Sequence, residues 1–523
     1  MTGVCSAPKQ LEKIAEHHTS PQADHRPCNT KRQLFRLLPP VPGLYAPQTH
    51  LACQCNEFVS AHNRVLGEAP LPTKRGIFDI RRQLKNLAWQ LPFPRAESLD
   101  EALMHFRGAR YTLYSNARES LRSKPLARAD ANLGCFVKAE KFNPLDKVNP
   151  DPRMIQARGP RFNLHMAGYI HPLERIVYQF RDEFGLRIFA KGLNSFEKAD
   201  LIRAKFAKLK RPVCFSLDAS RFDKHVSPKL LDEEHRFYLT MFPRDAQLAM
   251  LCDWQKRNKC FTSNGVRYVA RGGRMSGDMN TALGNCVLMY AMLMAVAERL
   301  GVTPLVVDDG DDCLMLVEEH EAHKFEKFIT PYFLEFGMQI KLENRAEVPE
   351  QVVFCQSKIV GPRMVRNPIK VMSNGTSGCK HWHDPKLVRP MLTAVGACEL
   401  ACNAGVPVLQ EYALALLRNG QGERAKRIDI EGGALQRALY EAGSEQNIYA
   451  AKSREVTLEM RMEFERVWGI PVPAQEILEE ILRGWVIDDI VAKPVGTELH
   501  ADWVLQEDPS RVPTRQPAFW SGV

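Results

Sequence analysis

With 523 residues and 45% apolar content, the chain can bury a large core and exceeds one ordinary domain, so two or three subdomains or one multi-lobed enzyme are expected. A formal charge of +10 favours a polyanionic partner such as nucleic acid. The 14 cysteines are scattered, which excludes a disulfide miniprotein and gives no zinc framework, and reduced thiols in a cytosolic compartment are expected.

Residues 1–48 carry Pro21, Pro27, Pro39, Pro40, Pro42 and Pro47 among polar residues and read as a flexible lead-in without a secretory signal. Apolar periodicity starts near Leu51. The basic run Arg118 to Arg128 is a candidate for tracking phosphates. Arg203 to Arg211 reads as an amphipathic surface helix. Pro212–Leu217 is a short β-favouring apolar run, with Asp218 at its end and Asp223 after four further residues. A strand end holds one carboxylate rigidly while the following turn can aim a second into the same cleft, an arrangement that suits magnesium.

Arg271-Gly-Gly-Arg-Met-Ser-Gly277 is a glycine-rich loop, followed by a helix expected over 278–299. Ser276 and Gly277 stand at its entrance, where free N–H groups favour anions. Thr281 and Asn285 are four apart and share a face, offering hydrogen bonds to a hydroxyl. The longest apolar run, Cys286 to Ala297, falls short of the roughly 20 residues that cross a bilayer, so it reads as a buried core helix and no membrane anchor is expected. Two apolar runs, Thr303–Val307 and Cys313–Val317, flank Asp308-Asp-Gly-Asp-Asp312. Gly310 supplies the positive φ of a hairpin turn. Four acids in five residues repel one another, so a bound cation is expected to offset them. Cys379, His381, His383 and Asp384 lie close together but lack a second half-site and read as a polar loop. From about Lys493 a charged, proline-rich tail is expected. The irregular mixture of strands and helices indicates an α+β architecture.

Asp-x4-Asp, then Ser-Gly-x3-Thr-x3-Asn, then Gly-Asp-Asp, in this order, resembles motifs A, B and C of viral RNA-dependent RNA polymerases. Cys135–Lys141 and Pro152–Asn163 resemble motif F of the tombusvirus-like members. Phe189–Asn194, Phe354–Ser357, Gly405–Gln410 and the Trp468-Gly-Ile-Pro segment are similar to their flanking segments. Two departures stand out: Asp308 and Asp309 replace amides or apolar residues of many relatives, which implies a more acidic metal site, and the N-terminal stretch matches nothing in the family.

The resemblance implies a right-hand fold with fingers at 49–211, a palm at 212–374 with a fingers insertion near 240–272, a largely helical thumb at 375–492 and a tail at 493–523. It implies nucleotidyl transfer with two Mg2+ ions, for which Mn2+ is a possible substitute. Asp218 and Asp311 would be the principal ligands, helped by Asp312 and the backbone oxygen of Ala219. Asp223, Asn285 and either Ser276 or Thr281, beside Gly277, would read the ribose. Lys138, Lys141, Arg153, Arg158 and Arg161 would neutralise the triphosphate, with Arg153 or Arg158 mattering most. Lys341 would protonate the leaving pyrophosphate, with an exposed strand lysine as the alternative. The partners implied are template and nascent RNA, nucleoside triphosphates and a membrane-anchored viral replication protein. The setting implied is the host cytoplasm at membrane-associated replication complexes.

Two other readings remain at this point. A reverse transcriptase would share the palm but is disfavoured by Asn285 with Asp223 and by Gly310 before the acidic pair. A non-enzymatic RNA-binding protein would use the basic excess but has no need of the acids.

Overall fold

The computed structural model describes residues 3–4, 32–147, 150–425, 428, 430, 434–442, 447–487 and 493–494. In chain order it places α1 (Gln54–Ala61), α2 (Lys74–Gln90), β1 (Leu133–Val137), β2 (Met154–Arg158), α3 (Pro160–Val177), α4 (Ser195–Phe206) and β3 (Pro212–Ala219). There follow α5 (Pro228–Met241), β4 (Arg257–Thr262), β5 (Arg267–Arg271), α6 (Thr281–Leu300), β6 (Leu305–Asp308), β7 (Asp312–Glu318), α7 (Glu319–Glu335) and β8 (Ile340–Ala346). The C-terminal part contributes α8 (Pro385–Asn403), α9 (Leu409–Gly420), α10 (Leu458–Trp468) and α11 (Val472–Gly484). The α+β architecture expected from the sequence is what is found.

The centre is an antiparallel sheet in the order β8-β3-β7-β6. Alternation along β3 sends Val213, Phe215, Leu217 and Ala219 into the core shared with α2, α6 and α7. Cys214, with Leu314 and Leu316 of β7, faces the cluster containing α4. Both faces are covered, which is why these strands read as continuous apolar runs rather than alternating ones. Helix α6 is apolar on nearly every side because it runs through the middle of the larger core; it is long and apolar enough to cross a membrane, yet mostly buried within the protein. It begins at Thr281, three residues later than the sequence suggested, because Asp278 is drawn into an ion pair described below.

A second sheet, β2-β1-β4-β5, brings residues 257–271 to lie beside 133–158 rather than in the central sheet. Its inner face, with Cys135, Met154, Cys260 and Tyr268, packs with Ala61 of α1. The C-terminal helices form their own core around Trp382, Tyr412 and Phe464.

The lead-in expectation needs correction. Residues 32–48 are packed: Val41 and Leu44 join the C-terminal core, Phe35–Arg36 pairs with Ser377–Gly378, and the Tyr45 N–H donates to Ser373 Oγ at 3.1 Å. The prolines stop regular structure there but leave the apolar side chains free to pack. The remainder of 1–48, apart from 3–4, lies outside the described residues, as does the tail beyond 494. The proposed break at 374/375 also cuts through a packed unit, since Val360, Val365, Val371 and Met372 belong to the C-terminal core. The basic run at 203–211 is less bland than a surface helix: Lys205 is fully buried and bonds Asp182 at 2.7 Å.

Candidate active site

Strand register assembles the acids. Asp218 on β3 lies directly opposite Asp312 on β7 and, on its other side, opposite Lys341 on β8. Paired residues present their side chains to one face, so these three converge at the end of the sheet. Asp311 sits beside them at the tip of the β6–β7 hairpin, where its carbonyl accepts from the Ala219 N–H at 3.4 Å. Gly310 takes φ 97°, as the turn requires, and its N–H donates to Asp308 Oδ1 at 2.6 Å.

The charges respond to this crowding. Burial pushes the Asp312 carboxyl up to about 6, reinforced by Asp311 and Asp218. Asp218 is also raised, by burial and then by Asp311, while Lys341 and Lys147 oppose the rise. A site that suppresses ionisation of its own carboxylates in this way gains from a divalent cation.

The other two hairpin acids do not join them, contrary to the expectation of a more acidic metal site. Asp308 is fully buried, and burial holds its carboxyl well above the usual range, with the Gly310 N–H and Lys191 opposing the rise. Burial would raise Asp309 too, but Lys191 at 2.5 Å and Lys198 at 3.1 Å hold it below its ordinary value. Lys191 arrives there because residues 188–190 run along the edge of β6, with the Ala190 N–H donating to the Asp308 carbonyl at 2.8 Å.

Asp223 follows a turn in which Arg221 adopts the left-handed conformation at φ 52°. Its Oδ1 accepts from Asn285 Nδ2 at 3.1 Å, so these two predicted residues do meet. Asn285 Oδ1 in turn accepts from Arg274 Nε at 2.9 Å. Arg274 forms a buried bidentate pair with Glu234, which also accepts from Asn280 and Tyr238. Gly284 is a necessity here, because a Cβ would come within 2.4 Å of both Arg274 and Glu234. Thr281 Oγ1 donates to the Met275 carbonyl and Ser276 Oγ to the Met154 carbonyl. The Gly277 N–H donates to the Gln156 carbonyl at 2.9 Å, and so is not the free anion-binding group that the sequence suggested.

The five predicted triphosphate residues separate into two groups. Lys138 and Arg153 are half-exposed, share Glu140 and line a cavity of about 2170 Å³, although none of Asp218, Asp311 or Asp312 lines it. Burial raises the Asp223 carboxyl, and Asn285, Arg274 and, more weakly, Arg153 oppose that rise, as Lys147 does at Asp218. Lys141 lines the same cavity but donates to the carbonyls of Asn374 and Ser377. Arg161 is engaged by Asp130, Ser120 and two carbonyls. Arg158 is fully buried, with Asp278 at 2.6 Å, Asn258 at 2.6 Å and the Ala131 carbonyl at 2.7 Å. Its guanidinium has no face left for a phosphate, so its expected role is corrected to a structural one.

Sequence reasoning passed over Lys147, Lys191, Lys198 and the Glu234–Arg274 pair. Arg274 lies within the glycine-rich loop, but nothing local marks Glu234 as its partner, and Lys147 stands alone among Asp146, Asp151 and prolines.

Oxygen-only donors on rigid strand ends suit magnesium, which keeps waters and substrate oxygens in its shell. Among the described residues no group of three or more His, Cys, Asp or Glu side chains is gathered closely enough to hold a metal ion, neither Asp218, Asp311 and Asp312 nor the residues around Cys379. The carboxylate oxygens of Asp218, Asp311 and Asp312 are nonetheless the donor type for an ion that takes most of its shell from water and substrate, and Asp384 caps α8 by accepting from the Lys386 N–H.

Breaking the Arg158–Asp278 pair strands a buried carboxylate. Arg158→Ala is expected to cost about 3–5 kcal/mol of stability, read as a drop in Tm by thermal denaturation. A normal Tm with a raised KM for nucleotide alone would return Arg158 to the substrate.

The family model described as viral RNA dependent RNA polymerase matches residues 56–488. The RNA-directed RNA polymerase of Tobacco necrosis virus (strain A) is 35% identical over 423 residues, covering 79% of this chain and 58% of that protein. That of Turnip crinkle virus is 33% identical, covering 87% of this chain and 59% of that protein. That of Tomato bushy stunt virus (strain Cherry) is 32% identical, covering 82% and 52% respectively. The chain thus spans about half the length of the curated relatives it matches. Together with the motif order and the meeting of Asp218 with Asp311 and Asp312, these matches place the chain in the viral RNA-dependent RNA polymerase family, among tombusvirus-like members.

Proposed function

We propose that this chain is an RNA-directed RNA polymerase that copies a positive-strand viral genome from nucleoside triphosphates. The observation that carries the reading is the pairing of Asp218 with Asp312 across β3 and β7, with Asp311 at the adjoining turn. The central sheet with α6 and α7 is the palm, the β2-β1-β4-β5 sheet with the helices around it belongs to the fingers, and α8 to α11 form the thumb.

Asp218, Asp311 and Asp312, with the Ala219 carbonyl, would hold two magnesium ions, which lower the cost of ionising the 3′-hydroxyl and of the charge on pyrophosphate. The new bond joins the 3′ oxygen to the α-phosphorus, and the bond to pyrophosphate breaks. Arg153, Lys138 and Lys147 draw the triphosphate over the acids. Lys341, opposite Asp218 and exposed, is placed to hand a proton to the leaving group. Asn285, held by Arg274 and bonded to Asp223, reads the ribose, because a substrate lacking the 2′-hydroxyl leaves buried polar groups unpaired. The same network disfavours the reverse-transcriptase reading. Template and nascent RNA are the further partners. Recruitment to membrane-associated replication complexes in the host cytoplasm would run through a membrane-anchored viral partner.

Asp218→Asn and Asp311→Asn preserve side-chain volume. Each is expected to reduce magnesium-dependent incorporation on a defined RNA template by about 10³-fold or more, with Tm unchanged or higher. Near-normal synthesis by either variant would remove the mechanism.

Asn285→Ala is expected to narrow the preference for ribo- over deoxyribonucleotides by about 10-fold or more, measured as the ratio of kcat/KM values. An unchanged ratio would assign ribose selection elsewhere.

A further inference from the structure

Helix α2 buries Gly76, Ile80, Leu84, Leu87 and Ala88 against the body of the protein, including α5 and α6. Its outer side is unusual for a surface helix. Phe78 is 60% exposed and Trp89 72%, and Leu71 and Phe93 extend the apolar exposure just beyond the two ends at 80% and 67%. At about 100° per residue, Phe78 and Trp89 fall within about 20° of one another on the crest of the helix. Lys74, Arg81 and Lys85 flank the crest on one side, and Arg75 and Arg82 on the other. The only acid in α2 is Asp79, which is buried on Arg299.

Two of these cations have partners, Arg81 with Glu233 and Arg82 with Glu298. Among the described residues no carboxylate pairs with Lys74, Arg75 or Lys85. The crest is therefore aromatic and its margins positively charged.

The geometry of the rings selects the partner. Lys85 Nζ stands 4.5 Å from the centre of the Trp89 ring, and the Arg82 guanidinium 5.8 Å from that of Phe78. Each ring thus has a cation of its own at a face where a stacked RNA base would lie. Beside the crest lies a hollow of about 910 Å³ lined by Lys74, Phe78 and Arg81, but it also carries Asp232, Glu233 and Asp253, whose carboxylates disfavour an RNA backbone there. Interleaved lysines break the apolar area into pieces too small for the dry centre of a protein interface, from which lysine is depleted. Exposed aromatic rings, one of them the amphipathic Trp89, bracketed by cations match instead the boundary between acyl chains and anionic headgroups.

We propose that the outer face of α2 docks the chain on an anionic lipid surface, with Phe78 and Trp89 at headgroup level and Lys74, Arg75 and Lys85 against lipid phosphates. The inference does not rest on the polymerase reading. One such face gives only marginal, reversible attachment, so it works alongside a second membrane contact supplied by a partner.

The test is co-sedimentation of the full chain with phosphatidylcholine vesicles, with and without about 30 mol% phosphatidylserine. Wild type is expected to bind the anionic vesicles at least ~10-fold better than the neutral ones, less so as salt rises. Phe78→Ser with Trp89→Ser, and separately Lys74→Glu with Arg75→Glu and Lys85→Glu, should each lower that binding at least ~10-fold. Tm and RNA synthesis on a soluble template should stay unchanged. The charge set removes no buried contact, so it remains decisive if the aromatic set folds poorly. Wild type that ignores lipid charge, or variants that bind vesicles as wild type does, would overturn the proposal. So would variants that lose single-stranded RNA affinity while vesicle binding persists, which would make α2 a nucleic-acid contact.

Discussion

Side chains alternate across a strand, so slipping β7 past β3 by one residue would turn Asp218 and Asp312 to opposite faces of the sheet. The register that prevents this is fixed by burial on both sides: Phe215 and Met315 belong in the core under α6 and α7, Cys214 and Leu316 in the core beside α4. Every feature of the site inherits that constraint. It sets Asp218 between Asp312 and Lys341, it brings the Asp311 turn against Ala219, and it aims the segment after β3 so that Asp223 reaches Asn285.

The hairpin also shows how a run of four acids becomes a site with fewer charges. Asp308 is buried, which raises its carboxyl, and serves the turn by accepting from the Gly310 N–H, while Asp309 is paired with two lysines. What remains facing the sheet end is Asp218, Asp311 and Asp312. Burial and, after it, their mutual repulsion raise the Asp218 and Asp312 carboxyls, an effect that a bound cation would offset. The buried Glu234–Arg274 pair fixes Asn285 from behind, so that the ribose-facing residue rests on a rigid support rather than on its own rotamer preference.

Much of this was legible in the chain. The strand runs, the Gly310 turn and the buried helix follow from local pattern, and the Asp223–Asn285 meeting was implied by the family resemblance. Packing decided the rest. Arg158 lies in a motif whose basic residues suggest phosphate, but its exposure, not its type, determines its role, and only the fold reveals that Asp278 lies against it. The prolines of residues 39–47 signalled irregular backbone correctly and flexibility wrongly, because docking on the C-terminal core is a long-range event with no local mark. Lys191 and Lys198 could not be assigned for the same reason, since they meet Asp309 more than a hundred residues away.

The central claim is that Asp218 and Asp311, distant in sequence, bracket the same divalent ions. Iron(II) substituted for magnesium, with ascorbate and peroxide, generates hydroxyl radicals at the ion and cuts nearby backbone. The account predicts two cuts in the same molecules, one near Asp218 and one near Asp311, both suppressed by excess magnesium. Cleavage at one of these strands without the other, or at neither, would contradict it.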